Sequence, residues 1–334
     1  IFLIYIGAGV LFVKAVATGV YMLRLVLVKI YAKRKYPALD FYAEPNEGAL
    51  KQKNAALLHQ VVGIIVNNTD TTVLTICLGA KSLLEVSVYG IYMMVVNAVN
   101  QLMTSFSNGL TAGFGEVIAK NEEETLKKSY SSYEYMYFVI MFIVIACMGV
   151  LILPFVGVYT INLTDVQYVR PVLGILFTLI VFMQNVRIPG LTIICAAGHY
   201  KETRYQAILE AVINITVSLG LVWKFGMAGV LLGTVCSYGY RSFEIVFYTS
   251  RHLVKGCAKK SMFRILRNVF TVAILCTVGT YVIPQEITSF TTWFLYAIGM
   301  GLTSVFLVVV INYVVEPDEF MQLRHRVNDI IKKE

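Results

Sequence analysis

Apolar runs of about 20 residues, the length that crosses a bilayer as a helix, recur along the whole chain. They fall at 1–28, 57–78, 88–112, 134–156, 171–195, 206–223, 227–249, 265–283 and 290–315, the sixth and eighth being the shortest. The pattern predicts an all-α, polytopic transmembrane helix bundle with nine spans. One run breaks the pattern at its centre. In "IIVNNTDTTVLTICLGA" (64–80), Asn67, Asn68, Thr69 and Asp70 stand where hydrocarbon would sit.

The polar residues inside the runs are not scattered. At 3.6 residues per turn, His59, Gly63, Asn67 and Asp70 share one helix face, within about 80°. Asn97, Asn100, Thr104, Ser107, Asn108 and Thr111 share a sector in the next run, and Gln206, Glu210, Asn214 and Ser218 follow at every fourth position in the sixth. Polar stripes facing lipid are costly, so these are expected to face protein or a water-filled cavity. For the amides and hydroxyls, hydrogen bonding between helices is an equally good explanation. For Asp70, Glu210, Lys14 and Arg187 a hydrated pathway is favoured, with a structural salt bridge accounting for one pair. Arg187 precedes Pro189 by two residues, and proline removes a backbone donor and permits a kink. That suits a gated anion site, unless the span is shorter and Arg187 ends a loop. Arg241 and Glu244, three apart, read as a satisfied ion pair.

Composition agrees with a membrane protein. The 334 residues are 57% hydrophobic and 14% charged, with a net charge of +8 and a mean hydropathy of +0.70. The excess of cations could suggest nucleic acid, but its distribution argues otherwise. With the connections assigned alternately to two sides, one side collects 21 of the 28 Lys and Arg, in the stretches 29–53, 120–128, 201–204, 251–267 and 324–333. Basic loops stay inside, so this side and the C-terminus are expected to be cytoplasmic. Lys14, Arg24, Arg187 and Arg241 remain within spans, Arg24 near enough to an end to snorkel.

The loops on the other side are too short to house a catalytic domain. HExxH, GxSxG, the phosphate-binding GxxxxGK[ST] and DxD are all absent from the sequence, and no enzymatic activity or cofactor is expected. Six cysteines show no CxxC and read as packing residues, with no metal or disulfide framework. Residues 31–53 are polar, basic and proline-bearing, a hinge between two helical bundles. Residues 119–130 read as a solvated capping loop. Phe320, Leu323, Val327, Ile330 and Ile331 have the spacing of an amphipathic surface helix. Ile1 already lies in an apolar run without signal-peptide features, so the chain is expected to start inside a longer protein.

The stretches "LKQKNAALLHQVVGIIVNNTDTTVLTICLG" (50–79), "VSVYGIYMMVVNAVNQL" (86–102), "AGHYKETRYQAILEAVINITVSLGLVWKFGMAGVLLGT" (197–234) and "KRKYP" (33–37) resemble the Wzx-type polysaccharide flippases. These belong to the multidrug/oligosaccharidyl-lipid/polysaccharide (MOP) superfamily, which also holds the lipid II flippase and the multidrug and toxin extruders. The resemblance implies two six-helix lobes around a central cavity, with about nine of fourteen spans present here. Residues 1–30 would be the last helix of the N-terminal lobe and 31–50 the inter-lobe linker. Residues 51–250 would be the C-terminal six-helix lobe, 251–315 two additional helices and 316–334 a cytoplasmic tail. It further implies a bacterial plasma-membrane exporter of O-antigen-type oligosaccharide linked to undecaprenyl diphosphate. Its partners would be that substrate, membrane lipid, a coupling H⁺ or Na⁺ and other polysaccharide-assembly proteins, but no nucleic acid. Lys14, Arg187 and Arg24 would bind the diphosphate. Asp70, Asn67, His59, Asn97, Asn100, Gln206, Glu210 and Asn214 would line the cavity or couple transport. A cation-coupled drug exporter is the main alternative. A membrane polymerase or ligase would need a large outer loop that this chain lacks.

Overall fold

The computed structural model describes Gly7 and residues 9–36, 52–107, 110–120, 122–284, 286–322 and 324. Among them the regular structure is all helical. Among the described residues of unit one, within residues 1–51, there is one helix, α1 (Val10–Lys35), exposed along most of its length. The hinge residues 37–51 and most of the tail helix read from sequence (Leu323, Val327, Ile330, Ile331) lie outside the described residues, as does Asn108.

The second compact unit, Gln52–Glu334, is a helix bundle. It comprises α2 (Lys53–Cys77), α3 (Ser82–Ser107), α4 (Leu110–Ala119), α5 (Glu123–Tyr159), α6 (Pro171–Val186) and α7 (Ile188–Ala196). It continues with α8 (Arg204–Phe225), α9 (Met227–His252), α10 (Ala258–Val282) and α11 (Phe290–Val315). Seven helical segments among the described residues are long and apolar enough to cross a membrane. The two shortest expected spans are among them as full helices, α8 and α10. Two expected spans, 57–78 and 227–249, form helices of spanning length, α2 and α9, but are not among the seven. Their polar residues, including Asn67, Asn68 and Asp70 in α2 and Arg241 and Glu244 in α9, dilute the apolar content. Those two polar helices pack on each other and on α8, and Asp70 and Arg241 are buried there.

Several expectations about boundaries change. The stretch 119–130 is not a capping loop. Residues 123–130 are the first two turns of α5, with Glu123 and Glu124 in its first turn, where acids suit the helix dipole. The third expected span, 88–112, falls on α3 up to Ser107 and on α4 from Leu110, within one candidate membrane segment, Gly79–Ala119. Both α10 and α11 pack along α5, the central helix of the unit, which also touches α3 and α6.

The hairpin of α8 and α9 positions much of the site. Gly226 makes the turn at φ +57, a left-handed conformation that costs glycine little. Beyond it the helices run too close for side chains. A Cβ on Gly233 would lie 2.1 Å from the Ser218 hydroxyl and one on Gly229 2.4 Å from the Leu221 carbonyl. This is the small-xxx-small spacing that lets membrane helices approach closely.

Candidate functional site

Two polar cavities adjoin in the second unit. The first, about 350 Å³, is bounded by α2, α6, α7, α8, α9 and the 197–203 connection. Its polar wall includes His59, Asn67, Arg187, Glu210 and Arg241. Arg187 sits at a helix break, between the end of α6 at Val186 and the start of α7 at Ile188. Pro189 occupies the first turn of α7, where its missing N–H is no loss, and the Leu191 amide closes that turn on the Arg187 carbonyl at 2.9 Å. The proline thus produces the interruption expected from sequence, and the cation stands on it.

The Arg187 guanidinium donates to Glu210 Oε1 at 2.5 Å and lies over the Tyr238 ring, 4.5 Å from its centroid. Arg241 is 3.6 Å from the other Glu210 oxygen and is also paired with Glu244. The Arg241–Glu244 pair is the one expected from sequence. The structural salt bridge allowed for one pair is Arg187–Glu210. Two guanidiniums and one carboxylate therefore face this cavity, while Glu244 lies behind Arg241. A buried pair of this kind persists only when the desolvation of both ions is offset by mutual attraction and further hydrogen bonds. At one end His59 Nε2 contacts the Tyr200 carbonyl at 3.0 Å and the Thr203 hydroxyl at 3.3 Å.

The second cavity, about 370 Å³, lies between α2, α3, α6 and α9. Asn67, Asp70, Asn97, Asn100 and Gln184 supply its polar wall. Asp70 is buried. Its carboxylate accepts from the Thr234 hydroxyl at 2.7 Å and the Tyr89 hydroxyl at 3.3 Å, and no Lys, Arg or His within ion-pairing distance is present among the described residues. Two neutral donors stabilise a buried carboxylate less than a cation does.

The polar stripes divide in use. Along α2, His59 and Gly63 line the first cavity, Asp70 the second and Asn67 both. Along α3, Asn97 and Asn100 line the second, but Thr104 and Ser107 hydrogen-bond back to their own helix. Of the α8 stripe, Glu210 lines the first cavity. The structure corrects the assignment of Asn214 as cavity lining: it is buried between α8 and α9, donating to Thr234 at 3.0 Å and Ser237 at 3.4 Å. The close approach at Gly233 leaves no room for a cavity there. Gln206 is likewise absent from both walls. Lys14 and Arg24 are exposed on α1, in the other unit.

The sequence reading missed a second charged cluster. Arg264, counted with the basic loops, lies within α10 and is fully buried. It donates to Glu134, Glu316 and Ser131. Arg267 pairs with Glu316 and Asn312, and Lys260 pairs with Glu319 at 2.6 Å. The cluster ties α10 to α5 and to the residues after α11. Burial of Glu316 pushes its carboxyl up, but the Arg264 and Arg267 guanidiniums outweigh this and hold it below the usual carboxylate range. Glu319 is held low in the same sense, burial being outweighed by Lys260, Ser131 and Arg264. The available signal was spacing: Arg264, Arg267 and Asn268 fall on one face of a helix, as do Glu316 and Glu319 if the helix continues.

No protein-family model matches the chain, and no curated protein matches it.

Proposed function

We propose that this chain belongs to a Wzx-type exporter that moves an undecaprenyl-diphosphate-linked oligosaccharide from the cytoplasmic to the outer face of a bacterial plasma membrane by alternating access. The observation that carries the reading is Arg187: a cation on a helix break, facing a cavity inside a bundle whose helices are long enough to span. A diphosphate needs cationic, multiply donating partners, and the wall of that cavity holds more positive than negative charge. Glu210 neutralises Arg187 while no anion is present, so an entering phosphate exchanges one anionic partner for another. In this reading Lys14 and Arg24 of α1 are further candidate cations for the diphosphate, and the basic loops support a cytoplasmic C-terminus.

Asp70 supports a coupling role. A buried carboxylate held only by hydroxyls is suited to take up H⁺ or Na⁺, which would lower its desolvation cost. The same residue favours the second reading, a cation-coupled drug exporter.

Deleting the gene that encodes this chain separates the two. The exporter reading expects loss of a surface polysaccharide and intracellular accumulation of its lipid-linked precursor. It also expects Arg187→Ala to reproduce the deletion while the protein still reaches the membrane. Unchanged surface glycan, together with sensitivity to lipophilic cations, would replace it with the drug-exporter reading.

A further inference from the structure

Asn67, Gln184 and Tyr238 line both cavities and mark their junction. Hydrogen-bond chains reach this junction from two directions, and each fixes which end of an amide is left for a ligand. The first is anchored on a backbone carbonyl. Asn185 Nδ2 donates to the Val181 carbonyl at 2.8 Å, so its nitrogen and oxygen cannot be exchanged without setting two acceptors against each other. The same Nδ2 donates to Asn100 Oδ1 at 3.0 Å, while the Tyr137 hydroxyl donates to Asn185 Oδ1 at 2.9 Å. Asn100 therefore accepts on its oxygen and donates from Nδ2 to Gln184 Oε1 at 2.9 Å. That leaves the Gln184 Nε2 hydrogens without a partner among the described residues.

The second chain starts at Arg187. Its guanidinium lies over the Tyr238 ring, 4.5 Å from the centroid, and the Tyr238 hydroxyl donates to Asn67 Oδ1 at 3.2 Å. Asn67 is then also left with its Nδ2 hydrogens. Both junction amides present N–H groups, and that of Gln184 is locked in that sense by the chain running back to Val181. Asn97, exposed in the same wall, has no partner among the described residues.

We propose that the junction and the second cavity form a sugar subsite, in which the amide N–H groups of Asn67 and Gln184 take hydroxyl or ring oxygens of the pyranose joined to the diphosphate. This rests on the exporter reading and adds an orientation to it: the anionic group lies toward Arg187, the first sugar toward Asp70. A second phosphate is disfavoured on the Asp70 side, because that wall offers neutral donors beside a carboxylate. Uncharged oxygens suit it.

Calorimetric titration of the full-length protein in detergent tests this with two probes: farnesyl diphosphate, and the same molecule carrying one N-acetylglucosamine on its distal phosphate. The wild type is expected to prefer the glycosylated probe. Gln184→Met, of similar size but without the donor, should cut that preference roughly 5- to 10-fold, the loss of about one hydrogen bond, with the affinity for farnesyl diphosphate unchanged. Asn67→Ala, at an exposed position that folding tolerates, should do the same. Tyr137→Phe should lower the preference less, because it removes one anchor of a chain still tied at Val181. Equal wild-type affinities for the two probes, or equal losses for both in Gln184→Met and Asn67→Ala, would overturn the subsite. Arg187→Ala tests the parent reading separately, since it should weaken both probes alike. Retention of both affinities in that variant removes the anion site whatever the amides do, and failure of the wild type to bind either probe removes both proposals.

Discussion

Two arginines of the second unit, the buried Arg264 and the partly buried Arg187, are each paired with glutamate, yet they are held in opposite ways. Arg264 has every N–H engaged: Nε with Glu316, Nη1 with Glu134 and the Ser131 carbonyl, Nη2 with Glu316 and the Ser131 hydroxyl. Its cluster joins α5, α10 and the residues following α11. Arg187 is engaged with Glu210 and Tyr238 and faces a cavity, with further donors of its five left over. A saturated cation fixes helices in place. An unsaturated one, over a cavity and on a helix break, can exchange partners. The difference separates structural from functional charge in this molecule.

Removing the saturated cation should have the largest effect. Arg264→Ala leaves Glu134 buried without its cation and Glu316 with Arg267 and a longer contact to Lys260 at 3.9 Å, and breaking a buried network costs about 3–5 kcal/mol. The expected outcome is little protein in the membrane, with a melting temperature in detergent well below wild type. Arg264→Lys should rescue it poorly, since an ammonium has three donors and no fork. Melting within a degree or two of wild type in Arg264→Ala would mean the cluster does not hold α10 and α11 on α5.

Arg187→Ala sharpens the contrast. Glu210 keeps Arg241 at 3.6 Å, so the carboxylate is not stranded and the stability loss should be smaller than for Arg264→Ala. Export should nonetheless be abolished. Double substitution of Arg187 and Glu210 by Met and Gln should restore wild-type melting without restoring export. If it restores export too, Arg187 is a structural residue like Arg264 and the comparison fails.

How far this division was legible in the sequence follows from the range of the interactions. Local features were readable. The Arg187–Pro189 spacing gave the break between α6 and α7, and the three-residue spacing gave the Arg241–Glu244 pair. The shared face of His59, Asn67 and Asp70 gave the cavity-lining side of α2. Features depending on distant segments were not. Arg264 looks like a loop cation until Glu316, some fifty residues on, returns to cover it. Asn214 continues the stripe of Glu210 by periodicity, but the glycines of α9 close that part of α8 against its neighbour. Periodicity says which side of a helix is polar. It does not say whether the facing surface is another helix or a cavity.

Asp70→Asn is a finer probe, since it tests a residue whose partners are all neutral. An asparagine can keep the Thr234 bond on its oxygen and donate to the Tyr89 hydroxyl, so the fold should lose no more than about 1 kcal/mol. Transport rates measured across a pH or Na⁺ gradient should lose their dependence on that gradient. A variant that melts far below wild type would assign Asp70 to packing instead.

The smallest effect is expected from acid. Glu316 and Glu319 lie beyond the last membrane helix, and their partners hold both carboxyls below the ordinary range. A carboxyl with a lowered folded-state pKa binds its proton more readily in the unfolded chain. Its stabilisation is therefore complete above the ordinary carboxylate range, and is lost as pH falls through that range toward the lower folded value. Both side chains keep some exposure, about 12%, so solvent screening limits the effect to a modest drop in melting temperature on acidification. The drop should shrink in Glu316→Gln, which has no carboxyl left to protonate there, and persist in Glu210→Gln, whose change is confined to the Arg187 cavity. An acid-induced drop that vanishes in Glu210→Gln and survives in Glu316→Gln would move the pH-sensitive contacts to the cavity, and would make Arg187 rather than Arg264 the cation on which stability depends.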